Sequence, residues 1–255
     1  MSILFQQDGL IFSILRKDFK KVIVLCEYLS TSNRASLFSF RERIVGNFAT
    51  VNLAFAGEKV TLVPQSLFSI DDAKALAHFQ FELAADEELM IDELKHHGLV
   101  VLYAINKEWL SVIQKYFDNV KTKHAGSFVI EYYMNRYKNK PGEHIFANIW
   151  HQKVEIVVIK NGKLQLYNIF DYQTDEDLLY AILNVYEQIP LSPETIPLKV
   201  SGKLKRNTHV WQLLETYIRY VEPENRPDEY QYSHEFKAIE AHQYNRIFQI
   251  STCEL

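Results

Sequence analysis

The sequence predicts an α/β fold made of two halves, each a mixed β-sheet flanked by helices, with a cleft between them. Three observations lead there. Two hairpins, FSILRKDFKKVIVLCEY from residue 12 and IVVIKNGKLQLYNIFDY from residue 156, repeat one grammar about 144 residues apart. Each is an apolar strand, a charged turn, a second apolar strand, an acidic residue and Tyr, and then the polar start of a helix. Between such runs lie segments whose apolar residues recur with the 3.6-residue period of a helix. Near the midpoint Lys138-Asn-Lys-Pro-Gly142 breaks a helix and makes the strongest internal boundary in the chain. The halves are therefore expected at residues 1–140 and 141–255, each a βββ-α-β-α unit.

The first strands are expected at residues 9–15 and 22–27, followed by a helix over about 33–48 with Leu37, Phe40, Ile44 and Phe48 on one face. VNLAF (51–55) and KVTLVP (59–64) read as a second hairpin across Ala-Gly-Glu, and Asp71 and Asp72 open a helix to about Phe81. ELMIDEL (88–94) and LVVLYAI (99–105) are strands about His96-His97-Gly98. Asn106 caps a helix with Trp109, Ile113, Tyr116 and Phe117 on one side. VKTKH (120–124) is a short strand, and a helix runs from Ser127 to about Tyr137. In the second half HIFANIW, KVEIVVIK and KLQLYNIF follow as strands about the turns His151-Gln152 and Asn161-Gly162. Thr174-Asp-Glu-Asp177 forms a capping box for a helix with Leu178, Leu179, Ile182, Leu183 and Tyr186 inward. A strand over about 195–201, a helix capped by Asn207 with Val210, Leu213, Leu214 and Tyr217 inward, and a final strand in NRIFQISTC complete the chain.

A chain of 255 residues buries about three quarters of its unfolded surface, enough for a sizeable core. Its 47% hydrophobic and 24% charged residues are ordinary for a globular protein. The net charge of −4, with Lys and Arg scattered, argues against a nucleic-acid partner, and the densest basic run, KLKR at 203–206, reads as a solvated turn. Only 8 glycines are present, which matters because backbone cradles for phosphate use glycine to let the chain approach the anion. Cys26 and Cys253 make no disulfide framework and read as buried free thiols. No signal peptide or membrane-spanning run is visible, so a cytoplasmic location is expected.

The strand ending TLVPQSLF, the KTKH strand before the midpoint helix and the C-terminal HQYNRIFQISTCE resemble a Bacteroidetes family labelled only as a domain of unknown function. The duplicated units resemble the ribonuclease-H-like halves of the actin, Hsp70 and sugar-kinase superfamily. That resemblance implies an actin-like ATPase fold and no particular activity. In active members of the superfamily an Asp-x-Gly-rich turn between the first two strands of each half holds metal and phosphate. Registering this chain on that turn puts Asn148 at the Asp position and Trp150, His151 and Gln152 at the glycine positions. An Asn supplies no charge to a magnesium shell, and an indole fills the volume a phosphate needs. In the first half the matching stretch, LFQQD, also lacks Asp-x-Gly. On the adenosine side such folds place a Gly-Gly pair, and here PLKVSGKLKRNT offers Gly202 alone.

These substitutions lead to the expectation of a non-catalytic actin-like scaffold or adaptor that works through contacts with a protein partner and needs no cofactor. The alternative is an atypical nucleotide-binding protein or slow ATPase whose cleft takes ATP and Mg through Asn148, Trp150, His151, Ser201, Gly202 and Lys203. No metal motif is apparent: His96 and His97 are adjacent and diverge, and His234 and His242 lie in loop-like spacing. His124 and His151 are expected at strand ends, in capping or interdomain hydrogen bonding. No G-x-S-x-G elbow occurs, and Cys26 in VIVLCEY is a poor nucleophile. EYQYSHEF (229–236) mixes aromatics and carboxylates and reads as an ordinary exposed segment, with a partner-binding loop as the alternative.

Overall fold

A computed structural model of the chain describes residues 1–6, 9–16, 18, 20–29, 48–116 and 120–252. The expected helix at 33–48 falls almost wholly outside the described residues, as does Cys253. The chain gathers into two compact units, Met1–Glu131 and Tyr132–Thr252. The division falls inside a helix whose C-terminal end runs into the expected break at 138–142.

In the first unit β1 (Ser2–Gln6), β2 (Gly9–Arg16) and β3 (Lys21–Leu29) form an antiparallel meander. β4 (Asn52–Phe55) lies parallel to β1 and, on its other edge, to the short β8 (Lys121–His124), giving the order β3-β2-β1-β4-β8. Between β4 and β8 the chain makes a small module. β5 (Val60–Pro64), β6 (Glu87–Leu94) and β7 (Leu99–Asn106) form an antiparallel sheet in the order β5-β7-β6. α1 (Ala73–His78) packs on it through Ala73 and Ala77 against Val63, Val100 and Leu102. The expected hairpin of β4 with β5 does not form: both edges of β4 are taken by β1 and β8, so β5 pairs with β7 instead. The helix expected from Asp71 to Phe81 is the shorter α1. α2 (Lys107–Tyr116) begins where expected, with the Asn106 side chain accepting the Glu108 N–H at 2.9 Å. α3 (Ala125–Tyr137) starts two residues before Ser127.

The second unit repeats the plan. β9 (Glu143–Trp150), β10 (Lys153–Lys160) and β11 (Lys163–Asp171) form an antiparallel meander, and β12 (Leu198–Gly202) and β13 (Val221–Pro223) extend it in parallel. The order β11-β10-β9-β12-β13 is that of the first unit. Asn161 (φ 49°) and Gly162 (φ 75°) turn β10 into β11, the left-handed pair that a two-residue hairpin prefers. α4 (Asp175–Gln188) carries the expected capping box, Thr174 and Asp177 each satisfying the other's backbone N–H. α4 and α5 (His209–Tyr217) cover one face of the sheet. Leu178, Ile182, Val185, Trp211 and Leu214 pack there on Ile145, Ala147, Val154, Ile156, Leu198 and Val200.

Three expectations need correction here. α5 is preceded by Thr208 rather than capped by Asn207, and it buries Trp211 while Tyr217 stays exposed. The final segment is α6 (Asn245–Thr252), not a strand. Residues 245–251 are all buried, and so short an apolar run, Ile247-Phe248 and then Ile250, suits a strand as well as a helix. Cys26 is a free thiol but only half-buried. Among the described residues, no helix is long and apolar enough to cross a membrane.

Candidate functional site

The face of the second sheet opposite α4 and α5 is polar at its centre, and the site expected from the sequence lies there. Asn148 on β9 stands in register with Glu155 on β10 and with Ser201 on β12. Its Nδ2 donates to Glu155 Oε2 at 3.3 Å, and its Oδ1 accepts from Ser201 Oγ at 3.3 Å. Glu155 is only 1% exposed, yet it is well supported. Tyr167 Oη on β11 donates to Oε1 at 2.8 Å, and Arg246 Nη2 on α6 donates to the same oxygen at 2.9 Å. The row Tyr167–Glu155–Asn148–Ser201 thus crosses four strands, with α6 laid over it.

Trp150 ends β9 buried, and the Arg246 guanidinium sits 4.3 Å from its ring. The turn that follows is two residues long. His151 takes a left-handed conformation (φ 49°) and leaves its side chain exposed. Both turn carbonyls are bound by one residue: Tyr172 Oη donates to His151 O at 2.6 Å and Tyr172 N–H to Gln152 O at 3.0 Å. Lys153 pairs with Asp171 just beyond.

Gly202 has φ 104°, and a Cβ there would lie 1.9 Å from Ile149 O, so no other residue fits without moving β9. Its N–H donates to His242 O at 3.0 Å, while the Lys203 N–H donates to Ile149 O at 3.2 Å. The Lys203 side chain is exposed, with Nζ 5.9 Å from the Tyr244 ring. Asn148, Trp150, Ser201 and Gly202 are therefore gathered about β9 and β12, whereas the side chains of His151 and Lys203 lie at the solvent rim.

Beside this row Glu224, buried, accepts from Tyr133 Oη at 3.0 and 2.9 Å, and Gln249 Nε2 on α6 donates to Tyr133 Oη at 3.0 Å. Burial pushes the Glu224 carboxyl up to about 7, against the opposing pull of hydrogen bonds from Tyr133, Asn245 and Ser201. Among the described residues, no group of three or more His, Cys, Asp or Glu side chains could hold a metal ion. Glu155, Tyr167, Glu224 and Arg246 were not singled out by the sequence reading. Glu155 had a signal: it is the one charged residue inside the buried run VEIVVI, and a carboxylate there must be paired.

The first unit has its own buried polar knot, at the start of α3. Asp92 on β6 accepts from the His124 N–H at 2.8 Å and from Ser127 Oγ at 2.6 Å, which caps the helix from another element. His124 is fully buried at the end of β8. Its Nδ1 accepts from the Gly126 N–H and its Nε2 lies 2.9 Å from Gly57 O, the capping role expected of it.

Two solved structures place this architecture. One is a Bacteroides thetaiotaomicron protein described as having an actin-like ATPase fold and unknown function. It is 20% identical, with a TM-score of 0.77 over 88% of this chain and 89% of that one. The other is a chain of the PilM-PilN type IV pilus biogenesis complex, 13% identical, with a TM-score of 0.61 over 98% of this chain and 95% of that one. At such identities the likeness shows the fold, and the fold is the actin-like ATPase one. No curated protein matches the chain. The model of the family described as "Protein of unknown function (DUF3822)" matches residues 1–221, and the chain belongs to that family.

Proposed function

We propose that this protein is a non-catalytic actin-like scaffold, two ribonuclease-H-like halves descended from one duplicated unit, which acts in the cytoplasm by binding another protein. One observation carries the reading: α6 closes the polar face of the second sheet, with Arg246 stacked on Trp150 and paired to Glu155. The groups a nucleotide would call on are bonded within the unit. The Gly202 N–H is bound to His242 O, Ser201 Oγ and the Asn148 carboxamide are bound to each other, and the carbonyls of the 151–152 turn are held by Tyr172. These residues do not fit a triphosphate with its magnesium ion. The PilM-PilN complex offers a precedent, at the level of fold alone, for a chain of this kind in a protein assembly.

Calorimetric titration of the full chain with Mg-ATP and Mg-ADP tests the proposal. Millimolar nucleotide should give no saturable heat, and phosphate release should not exceed the protein-free rate. Saturable binding that is lost on Lys203→Ala would instead support the alternative of an atypical nucleotide site about Ser201, Gly202 and Lys203.

A further inference from the structure

Charge is distributed unevenly along this chain. The module between β4 and β8, residues 56–106, holds nine Asp and Glu against three Lys, a net of −6 where the whole chain carries −4. Four of those carboxylates, Glu87, Glu88, Asp92 and Glu93, lie on the eight-residue strand β6: Asp92 is buried in its own hydrogen bonds and Glu87 pairs with Lys59 at 2.6 Å, while Glu88 and Glu93 are exposed, Glu93 with Lys95 at 3.3 Å.

β6 is an edge strand, and its hydrogen-bonding phase can be read from the ends of its ladder. Lys107 N–H donates to Asp86 O at 2.8 Å, and Asn106 stands opposite Glu87. Even-numbered residues of β6 therefore face β7, and the main-chain groups of Leu89, Ile91 and Glu93 face outward. The opposite edge of the module is blunted, because β5 ends in Pro64, which has no N–H to offer. β6 carries no proline and no bulge over its length.

Two apolar side chains lie along that edge: Leu89 and Ile91 are half-buried, packed against the cluster of Val63, Ala73, Ala77, Val100 and Leu102. Leu67, Ile70 and Phe79 of the same module are 71%, 66% and 88% exposed. A hollow of about 480 Å³ opens beside α1, lined by Lys74, His78, Phe81 and Leu83 among others.

We infer that the outer edge of β6 receives an extended, cationic segment of a partner protein as a fourth strand of this sheet. Main-chain bonds to Leu89, Ile91 and Glu93 hold it. Its apolar residues cover Leu89 and Ile91, and its Lys or Arg side chains meet Glu93 on one face and Glu88 on the other. Glu88 is exposed and has no ion pair among the described residues. A second copy of β6 is a poor occupant, since it would set carboxylates against carboxylates. Nucleic acid is repelled by the same charge. The inference rests on the scaffold reading only in taking protein contact as the function, and the two fail separately: nucleotide binding overturns that reading and leaves this edge untouched.

The test is anisotropy of a labelled octapeptide with Lys at alternate positions, Val at three of the other four and a further Lys at the end that reaches Glu93, titrated into the full chain at low salt, with amide exchange read by NMR. Saturable binding is expected, with slowed exchange at Leu89, Ile91 and Glu93. The Glu88→Lys/Glu93→Lys variant should bind roughly tenfold more weakly or worse while melting as the parent does. A peptide N-methylated at alternate residues should not bind, which tests the ladder without altering the protein. No saturation at millimolar peptide, equal affinity for a Val–Glu peptide, insensitivity to the charge reversal, or protection confined to other strands would overturn the inference.

Discussion

The sheets of the two units are the same ladder with different fillings. Both run meander, parallel strand, parallel strand, and each bears a register shift in the same hairpin, between Ile14 and Leu15 in one and between Val158 and Ile159 in the other. Aligning those shifts sets Leu4, Ile11 and Ala54 of the first unit where the second has Asn148, Glu155 and Ser201. It also sets Phe55, stacked on Phe5 at 5.2 Å, where the second has Gly202. The apolar row needs no partners. The polar row needs Tyr167 from the next strand and Arg246 from a helix about ninety residues further along the chain. Backbone hydrogen bonding is therefore indifferent to which filling is used, and the polar one serves to fix where α6 must lie. A buried ion pair is typically no more stabilising than apolar residues of the same shape, so position rather than stability is what it contributes.

The largest effect should come from breaking that pair on one side. Arg246→Met strands Glu155 in the core and should cost about 3–5 kcal/mol in denaturant unfolding. Adding Glu155→Leu, which gives the second unit the filling of the first, should recover most of the loss. If the double variant is as unstable as the single one, the pair is a net source of stability and the contrast between the units collapses. Next comes Gly202→Ala, which should cost on the order of 3 kcal/mol because the added carbon meets Ile149 O and the backbone is held at positive φ. No such penalty attaches to Phe55→Ala, whose loss is one of packing.

The pH response sharpens the comparison further. Burial pushes Asp92 up to about 6 in the first unit and Glu224 up to about 7 in the second. A carboxyl whose folded value exceeds its unfolded one holds its proton more firmly in the native state. Its stabilising contribution is full below the unfolded value, 3.8 or 4.5, and is lost as pH rises through about 6 or 7. Unfolding free energies from pH 4 to 8 should therefore fall less steeply in Asp92→Asn at the lower end of that window and in Glu224→Gln at its upper end. A wild-type profile that both variants merely shift in parallel would disprove the assignment. The smallest effect is Thr174→Ala, which removes one cap of α4 and should cost about 1 kcal/mol, visible as a modest drop in Tm.

How much of this was legible depended on how local each cause was. The hairpin turn at Asn161-Gly162, the capping box at Thr174 and the Asn106 cap are fixed by residues within a few positions of one another, and the sequence reading found them. The pairing of β5 was missed because its competitor, the claim of β8 on the edge of β4, lies about seventy residues away. Asn148, Trp150 and Gly202 could be set near one another by their place relative to strands. Arg246 was missed because NRIFQI reads as a strand until its burial on every side is known.

The sequence by itself determined most of the strands, the caps at Asn106 and Thr174 and the repeated hairpin pattern, since these follow from propensity, periodicity and local hydrogen bonds. Only the tertiary structure decided that the C-terminal segment is a helix, that it neutralises Glu155, and that the Gly202 N–H is already bonded. The physical reason is that a buried carboxylate is tolerated only with its partners in place, and those partners come from parts of the chain that no local pattern connects.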